Sequence, residues 1–318
     1  MSSYFNLKGF DNVFENTLNN EIQDNIVEFF DWALLEKGNY QNVTKGELAP
    51  NGYDYSKLTP SSSTNFPTGL AWEGFRKNWV WQSGVSYNPP PIVGNNDAIP
   101  GISGVYVNDI FYPSDTSGDY SHKVDYFHGR VIFDNPIPTG SLVQAEYSYK
   151  YINVIYAHSL PWLREVQYRS LDFDTNKKLD ILPESTVQLP AIAIEIVPRR
   201  TLKGYQLGGG QWVNTDILFH CLAEDEFTRN KLVDIVSLQN DKNVAIFDSN
   251  IVAQSGKFPI DYMGVPVSGA MRYPDLIRTF YKDKVFLKNS IVQGMEIINS
   301  NFYAGIVRMT VESIQQTI

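Results

Sequence analysis

The side chains best suited to proton transfer or metal binding are the four histidines of the chain, His122, His128, His158 and His220. His122 and His128 flank Asp125, which invites comparison with a metal site. In an extended strand the two histidines share one face, roughly 20 Å apart, and Asp125 lies on the other face. A shared metal would require the chain to reverse direction between them. We therefore expect no metal site, and structural roles for His158 and His220.

Carboxylate pairs and a glycine run are the other features that could do chemistry. Asp172 and Asp174 lie in a polar bend, and residues 224–226 form an acidic run where a helix is predicted to begin, which suits capping. The glycine run 208–210 precedes a predicted strand, whereas phosphate-binding loops precede a helix. There is no Gly-x-Ser-x-Gly motif. We expect no catalytic, cofactor-binding or metal-binding residue, and no enzyme.

Basic residues form only two small groups. Arg199, Arg200 and Lys203 lie beside the glycine run, and Lys282 and Lys284 follow a predicted helix. They could pair with acids of a neighbouring subunit or lie in solvated loops. The formal net charge of −9 and pI of about 5.0 exclude an overall basic surface for binding nucleic acid.

Aromatic residues are abundant, with 19 Tyr, 18 Phe and 6 Trp, while charged residues make up only 19% of the chain. Such a composition suits antiparallel β-structure or a protein–protein interface, because Tyr and Trp bury large areas. The densest group is an aromatic patch of Trp72, Phe75, Trp79 and Trp81. If exposed, these rings could stack on sugars.

The single cysteine, Cys221, lies in an apolar run, so an intramolecular disulfide is impossible and a buried thiol is expected. The N-terminus lacks the basic and apolar regions of a signal peptide. No stretch of ~20 apolar residues occurs. We expect a soluble protein that is not secreted and does not contact a membrane.

Helical spacing of apolar residues predicts a helix from about Glu21 to Lys37, capped by Asn20 and ended by Gly38. Residues 39–70 are polar and rich in turn formers, which predicts a long loop or extended arm. Residues 89–101 are predicted to be a connector. Alternation over residues 104–152 predicts a small antiparallel sandwich or barrel.

A helix is predicted from Ser159 to about Leu171. The remaining chain predicts strands near 191–197, 212–222 and 244–247, helices after residue 224 and near 274–281, and a closing hairpin of 285–297 with 302–314. The fold class is therefore α+β, with an N-terminal helix and arm over 1–100, an antiparallel β-module over 101–155, a helical connector over 156–190 and an α+β domain over 191–318.

Three segments carry a resemblance to known proteins. Residues 217–236, ILFHCLAEDEFTRNKLVDIV, resemble the strand-then-helix element of neck and tail-terminator-like structural proteins of large tailed bacteriophages. The hairpin segment FYAGIVRMTVE at 302–312 is also similar. Residues 104–149, with GRVIFD and QAEYSY, resemble β-modules of phage virion proteins.

The resemblance implies a virion structural protein of the neck or tail, assembled in the host cytoplasm. Proteins of this family form rings, commonly hexamers, that cap the tail tube and join it to the neck. Exposed sheet edges would then be subunit contacts, and DNA would pass through an acidic lumen without adhering to it. The N-terminal part would face neck, collar, tail-tube or sheath proteins.

Two other functions remain open at this point. A carbohydrate- or receptor-binding module, or a baseplate or fibre attachment module, would use the aromatic patch and the β-module. An enzyme acting on polymers would use a carboxylate pair such as Asp172 with Asp174.

Overall fold

The computed structural model describes residues 17–46, 48, 52–82, 85, 102–114, 116–157, 188–206, 209–255, 271–299 and 302–315. Within these ranges the chain is a mixed α+β protein dominated by strands, which form two sheets. This confirms the α+β class. The helix predicted at Ser159–Leu171 and the connector predicted at 89–101 lie outside the described residues.

The first helix, α1, spans Leu18–Leu35 and confirms the helix predicted from apolar spacing. Its N-cap is Thr17 rather than Asn20, which lies inside the first turn. Gly38 adopts a φ of 81° just beyond the end, a conformation that favours glycine. The apolar side of the helix, including Ile22, Ile26 and Phe30, is buried.

The first sheet has eight short strands. They are β1 (Tyr40–Val43), β2 (Lys57–Pro60), β3 (Ala71–Glu73), β4 (Ile102–Val107), β5 (Ile110–Pro113), β6 (His122–Asp125), β7 (Arg130–Phe133) and β8 (Val143–Lys150). The order is β5-β4-β8-β2-β3-β7-β6, and β1 also pairs with β8. Its core contains Trp72, Trp79, Val131, Phe133 and Tyr147.

The extended arm predicted over residues 39–70 is wrong in part, because β1 and β2 belong to this sheet. Tyr40 pairs with Lys150 and Lys57 with Gln144, so partners distant in sequence stabilise strands too short and polar to stand out alone. The division predicted at residue 100 therefore runs through one sheet.

The second sheet has six strands, β9 (Asn153–Tyr156), β10 (Ala191–Gln206), β11 (Gly209–Ala223), β12 (Lys242–Phe247), β13 (Tyr281–Asn299) and β14 (Phe302–Gln315). The order is β12-β13-β14-β11-β10-β9, and every pair is antiparallel except β9 with β10. The strands predicted over residues 191–197, 212–222 and 244–247 and in the closing hairpin are confirmed, although most are longer than predicted.

Among the described residues, three further helices accompany this sheet: α2 (Glu226–Ser237), α3 (Ser249–Gln254) and α4 (Tyr273–Phe280). The predictions for α2 and α4 are confirmed, whereas α3 was not predicted. α1 and α2 contribute to one core with the odd-numbered side chains of β11, and Phe30 of α1 lies 5.1 Å from Phe219 between ring centroids. The N-terminal helix thus covers the C-terminal sheet.

Candidate functional site

The most distinctive feature of the six-stranded sheet is that short strands cover its long strands only in part. At one side β9 pairs with residues 191–194 of β10, which leaves residues 195–206 without a strand neighbour on that edge among the described residues. At the other side β12 pairs with residues 281–287 of β13, which leaves residues 288–299 uncovered in the same sense. We call these the β10 edge (195–206) and the β13 edge (288–299).

Both edges carry exposed apolar side chains. Leu202 and Tyr205 on the β10 edge are 55% and 43% exposed. On the β13 edge the exposed apolar residues are Ile291, Val292, Met295 and Ile297. An uncovered strand offers backbone N–H and C=O groups for pairing, and apolar side chains beside them favour pairing with another strand. On the β13 edge the backbone N–H of Ser290 is already used, because it donates to Asn240 Oδ1 at 3.1 Å. Both edges are therefore candidate contact surfaces.

The two faces of this sheet differ in chemistry. One face packs on α1 and α2. The opposite face carries polar pairs: Arg308 with Asp216, Lys288 with Glu312, and His220 with Glu195 at 2.8 Å. Arg199 lies 3.7 Å from Asp216 on the same face. Three cations on this face, Arg199, Lys288 and Arg308, are thus paired with carboxylates of the same chain.

Most of the basic residues singled out in the sequence contact acids or polar groups within the chain. Arg199 contacts Asp216, Arg200 contacts Asn19 of α1, and Lys282 donates to both carboxylate oxygens of Glu21 at 2.8 and 2.9 Å. Arg199 and Arg200 lie in a strand rather than a loop. Lys203 lies on the exposed β10 edge.

The histidine segment forms a hairpin rather than one strand. His128 lies in the turn between β6 and β7, where its Nδ1 is 2.7 Å from Asp125 Oδ2, and Arg130 donates to the same oxygen at 2.8 Å. The prediction that Asp125 points away from both histidines is therefore wrong for His128. His122 Nδ1 instead lies 2.9 Å from the carbonyl oxygen of Tyr120.

No three His, Cys, Asp or Glu side chains within the described ranges converge closely enough to hold a metal ion. His158, Asp172 and Asp174 lie outside those ranges. The acidic run at 224–226 begins α2 as predicted, and Asp225 caps it by accepting a hydrogen bond from the backbone N–H of Thr228 at 2.8 Å. The Gly209–Gly210 part of the glycine run begins β11.

Four carboxylates on α1 form an acidic stripe that the sequence analysis did not identify: Glu21, Asp24, Glu28 and Asp31. Their three- and four-residue spacing places them on one side of the helix, a signal present in the sequence. Asp31 Oδ2 lies 2.7 Å from Lys150 Nζ and accepts a hydrogen bond from the Gln82 amide at 2.8 Å. The stripe therefore connects α1 to β8.

Burial makes this stripe electrostatically unusual. Burial and, secondarily, repulsion by Asp31 raise the pKa of Glu28 to about 8. Burial also raises the pKa of Asp24 to about 6, although a hydrogen bond from Tyr156 opposes the change. Removal of carboxylates from water disfavours their charged form, so the protonated form of Glu28 is favoured near neutral pH.

Two tryptophans of the aromatic patch, Trp72 and Trp79, are buried, whereas Phe75 of the same patch is exposed. Trp72 and Trp79 are each only 1% exposed, because their rings fill the core of the first sheet. Their indole N–H groups donate to carbonyl oxygens of Gly69 and Arg76. Trp81 is partly buried. Stacking of sugars on these indole rings is excluded for Trp72 and Trp79.

Cys221 is fully buried, as the apolar run predicted, and burial raises the pKa of its thiol to about 12. No helix within the described residues combines the length and the apolar character required to cross a bilayer. The sequence matches no protein-family model and no curated protein.

Proposed function

We propose that this chain is a structural protein of the neck or tail of a tailed bacteriophage virion, with a tail-terminator, completion or connector role. It assembles into a ring around the DNA channel, through the six-stranded tail-terminator-like domain. The observation that supports this proposal is the pair of uncovered edges on opposite sides of one sheet. The sequence resemblance provides the virion context.

Edge pairing between copies is compatible with the strand directions. β13, β14, β11 and β10 alternate in direction across the sheet. A second copy with the same face inward therefore brings its β13 edge antiparallel to the β10 edge of the first copy. Because the two edges are different surfaces, the contact is heterologous and closes into a ring when the rotation permits.

The positions of the edges imply a stagger between neighbours. Arg200 pairs with Thr215 and Thr215 pairs with Val311. Because Val311 in turn pairs with Leu287, Arg200 and Leu287 lie at the same level across the sheet. Matching the two edges displaces the next copy along the strands by about six residues, or roughly 20 Å. Four strands at ~4.8 Å span a similar width, so the strands tilt by about 45°. Closed barrels have comparable tilts and require such a stagger.

This register also places compatible side chains together. Leu202 of one copy faces Val292 of the next, so two exposed apolar side chains meet at the contact. Pro198 donates no ladder hydrogen bond, so pairing is expected over residues 199–206. The face opposite the helices turns toward the channel, where the carboxylate partners of Arg199, Lys288 and Arg308 make these three cations poorly available to DNA phosphates.

The first test is the mass of the purified full chain by light scattering over a range of concentrations, with negative-stain imaging. We expect a discrete symmetric oligomer whose central hole is about as wide as duplex DNA. A monomer at every concentration, or open-ended aggregates without a fixed mass, contradicts ring assembly by this chain.

Substitutions at the edges test the contact itself. Leu202→Lys and Val292→Lys each place a charge where an exposed apolar side chain lies within the proposed contact, so we expect both to yield monomers. Leu238→Lys is the matched control, because Leu238 follows α2 and is 78% exposed outside both edges. Equal loss of assembly in the control rules out the edges as the specific contact.

Cysteine cross-linking tests the register. In Leu202→Cys/Val292→Cys, mild oxidation should join neighbouring copies into a ladder of covalent multimers. Each single variant should give at most dimers. The native Cys221 is buried and should not contribute. A double variant that forms no multimers while remaining oligomeric contradicts this register, although not assembly.

A further inference from the structure

A group of three rings, two of them exposed, lies on the first sheet beside the buried Trp79. We call Tyr53, Tyr55 and Phe75 the aromatic shelf. Tyr55 and Phe75 stack with ring centroids 4.7 Å apart and planes 10° apart. Tyr53 is tilted against both, at 5.6 and 5.7 Å. Tyr53 and Phe75 are 39% and 48% exposed. The shelf therefore presents apolar ring surface to solvent.

The loop that carries Phe75 is held in place. The Gln188 amide donates to Phe75 O at 2.9 Å, and its oxygen accepts from the backbone N–H of Lys77 at 2.8 Å. Gly74 N–H donates to Gly129 O at 2.9 Å. A Cβ on Gly129 would lie 2.5 Å from Arg76 O, so the two loops pack closely.

Tyr55 is fixed from the other side. The buried Tyr147 hydroxyl donates to Tyr55 O at 2.9 Å, and Asp54 accepts the backbone N–H of Ser56 at 2.9 Å. Exposed rings on fixed loops lose little conformational entropy when a ligand binds. The shelf thus has the pre-organisation of a recognition site.

The charge at the shelf comes from Arg76. Its guanidinium lies 5.4 Å from the Phe75 ring centroid and 5.2 Å from that of Tyr149. The buried Nε of Arg76 has no hydrogen-bond partner among the described residues. A cation stacked on the shelf opposes a cationic ligand and favours a carboxylate beside the rings.

We propose that the aromatic shelf with Arg76 binds a carboxylate-bearing saccharide, such as a uronic acid unit of a glycan. The C–H face of the sugar stacks on Phe75 and Tyr53, and the carboxylate pairs with the guanidinium. The ligand combines an apolar face, hydroxyl groups and a negative charge, which matches the surfaces that the shelf presents. This site is separate from the β10 and β13 edges.

The test is titration calorimetry of the full chain with hyaluronan hexasaccharide, which carries glucuronate, and with chitohexaose, which lacks carboxylates. We expect binding of the first, and at least about tenfold weaker binding of the second. Phe75→Ala should weaken hyaluronan binding by about tenfold or more, and Arg76→Gln should remove the preference for the charged sugar.

Phe111→Ala is the matched control, because Phe111 is 42% exposed on β5 of the same sheet and is not part of the shelf. This variant should bind as the unchanged protein does. The proposal is overturned when neither saccharide binds, when the control weakens binding as much as Phe75→Ala does, or when Phe75→Ala dissolves the oligomer without a change in sugar binding. The last result would identify the shelf as an assembly contact.

Discussion

Glu28 of the acidic stripe should make the folded protein less stable as the solution becomes alkaline. Its folded-state pKa of about 8 lies above its ordinary value of 4.5, so near neutral pH the folded chain holds a proton that the unfolded chain has released. Stability therefore falls as pH rises from about 4.5 and levels off above about 8. Asp24 is half-ionised near pH 6 and contributes little above about pH 7, so Glu28 dominates the upper part of the window from pH 6 to 8.

The groups that face Glu28 set the size of this effect. Asp24 and Asp31 of α1 repel its charged form, and Lys150 of β8 attracts it. A proton bound only by the folded state changes stability by at most ~1.4 kcal/mol per pH unit. Because Glu28 keeps part of its surface in solvent, we expect a total of about 1–2 kcal/mol between pH 6 and 8.

Urea unfolding at a series of pH values measures the effect. Glu28→Gln keeps the shape of the side chain and removes the titration, so its stability relative to the unchanged protein should rise steadily from pH 6 to 8. Glu224→Gln, at an exposed carboxylate, should leave the pH dependence as it was. A constant difference between Glu28→Gln and the unchanged protein across this window refutes the reasoning.

Three further predictions concern packing and burial. Gly69→Ala should cost more than ~3 kcal/mol of stability, because φ is +83° and a Cβ would lie 2.2 Å from Ile137 O. Gly118→Ala, where φ is also positive but the surrounding space is open, should cost only ~1 kcal/mol. Equal losses of stability in thermal unfolding contradict the steric argument. Lys150→Met should cost about 3–5 kcal/mol of stability at neutral pH, because Asp31 remains buried without its cation. Adding Asp31→Asn to the same chain should recover part of the lost stability in urea unfolding. If no stability is recovered, the loss is due to packing. Cys221 should resist a thiol reagent in the native protein and react fully in denaturant, because it is buried with a raised pKa; rapid native labelling contradicts the burial.

The accuracy of the sequence predictions follows from how local each signal is. The long strands β10, β11, β13 and β14 were predictable because apolar alternation continues over many residues. β1 and β2 were missed because each is four residues long and depends on β8, roughly a hundred residues later in the chain. α3 is only six residues long, which is too short for a helical period to be recognised.

The burial of the tryptophans and the positions of the uncovered edges could not be predicted from the sequence alone. The sequence left open whether Trp72 and Trp79 are exposed, and the pairing of β3 with β7 places Trp72 in the core. An edge is defined by where a neighbouring strand ends, so the β10 and β13 edges could not be located before the pairing of β9 and β12 was known. The acidic stripe, in contrast, was visible as regular spacing along α1.

The features of the β10 and β13 edges indicate whether the chain forms a closed assembly or aggregates without limit. Uncovered strands of this length normally favour uncontrolled pairing, and proteins protect them with charges, proline and bulges. The β10 edge has Pro198, Lys203 and a break in register between Ile196 and Arg200, while the β13 edge has breaks in register along its length. Such irregular edges pair more readily with a strand whose irregularities match their own than with a flat strand. We therefore expect association to saturate at a fixed mass as concentration rises, whereas mass that grows without limit would mean that the edges are unprotected strands rather than subunit contacts.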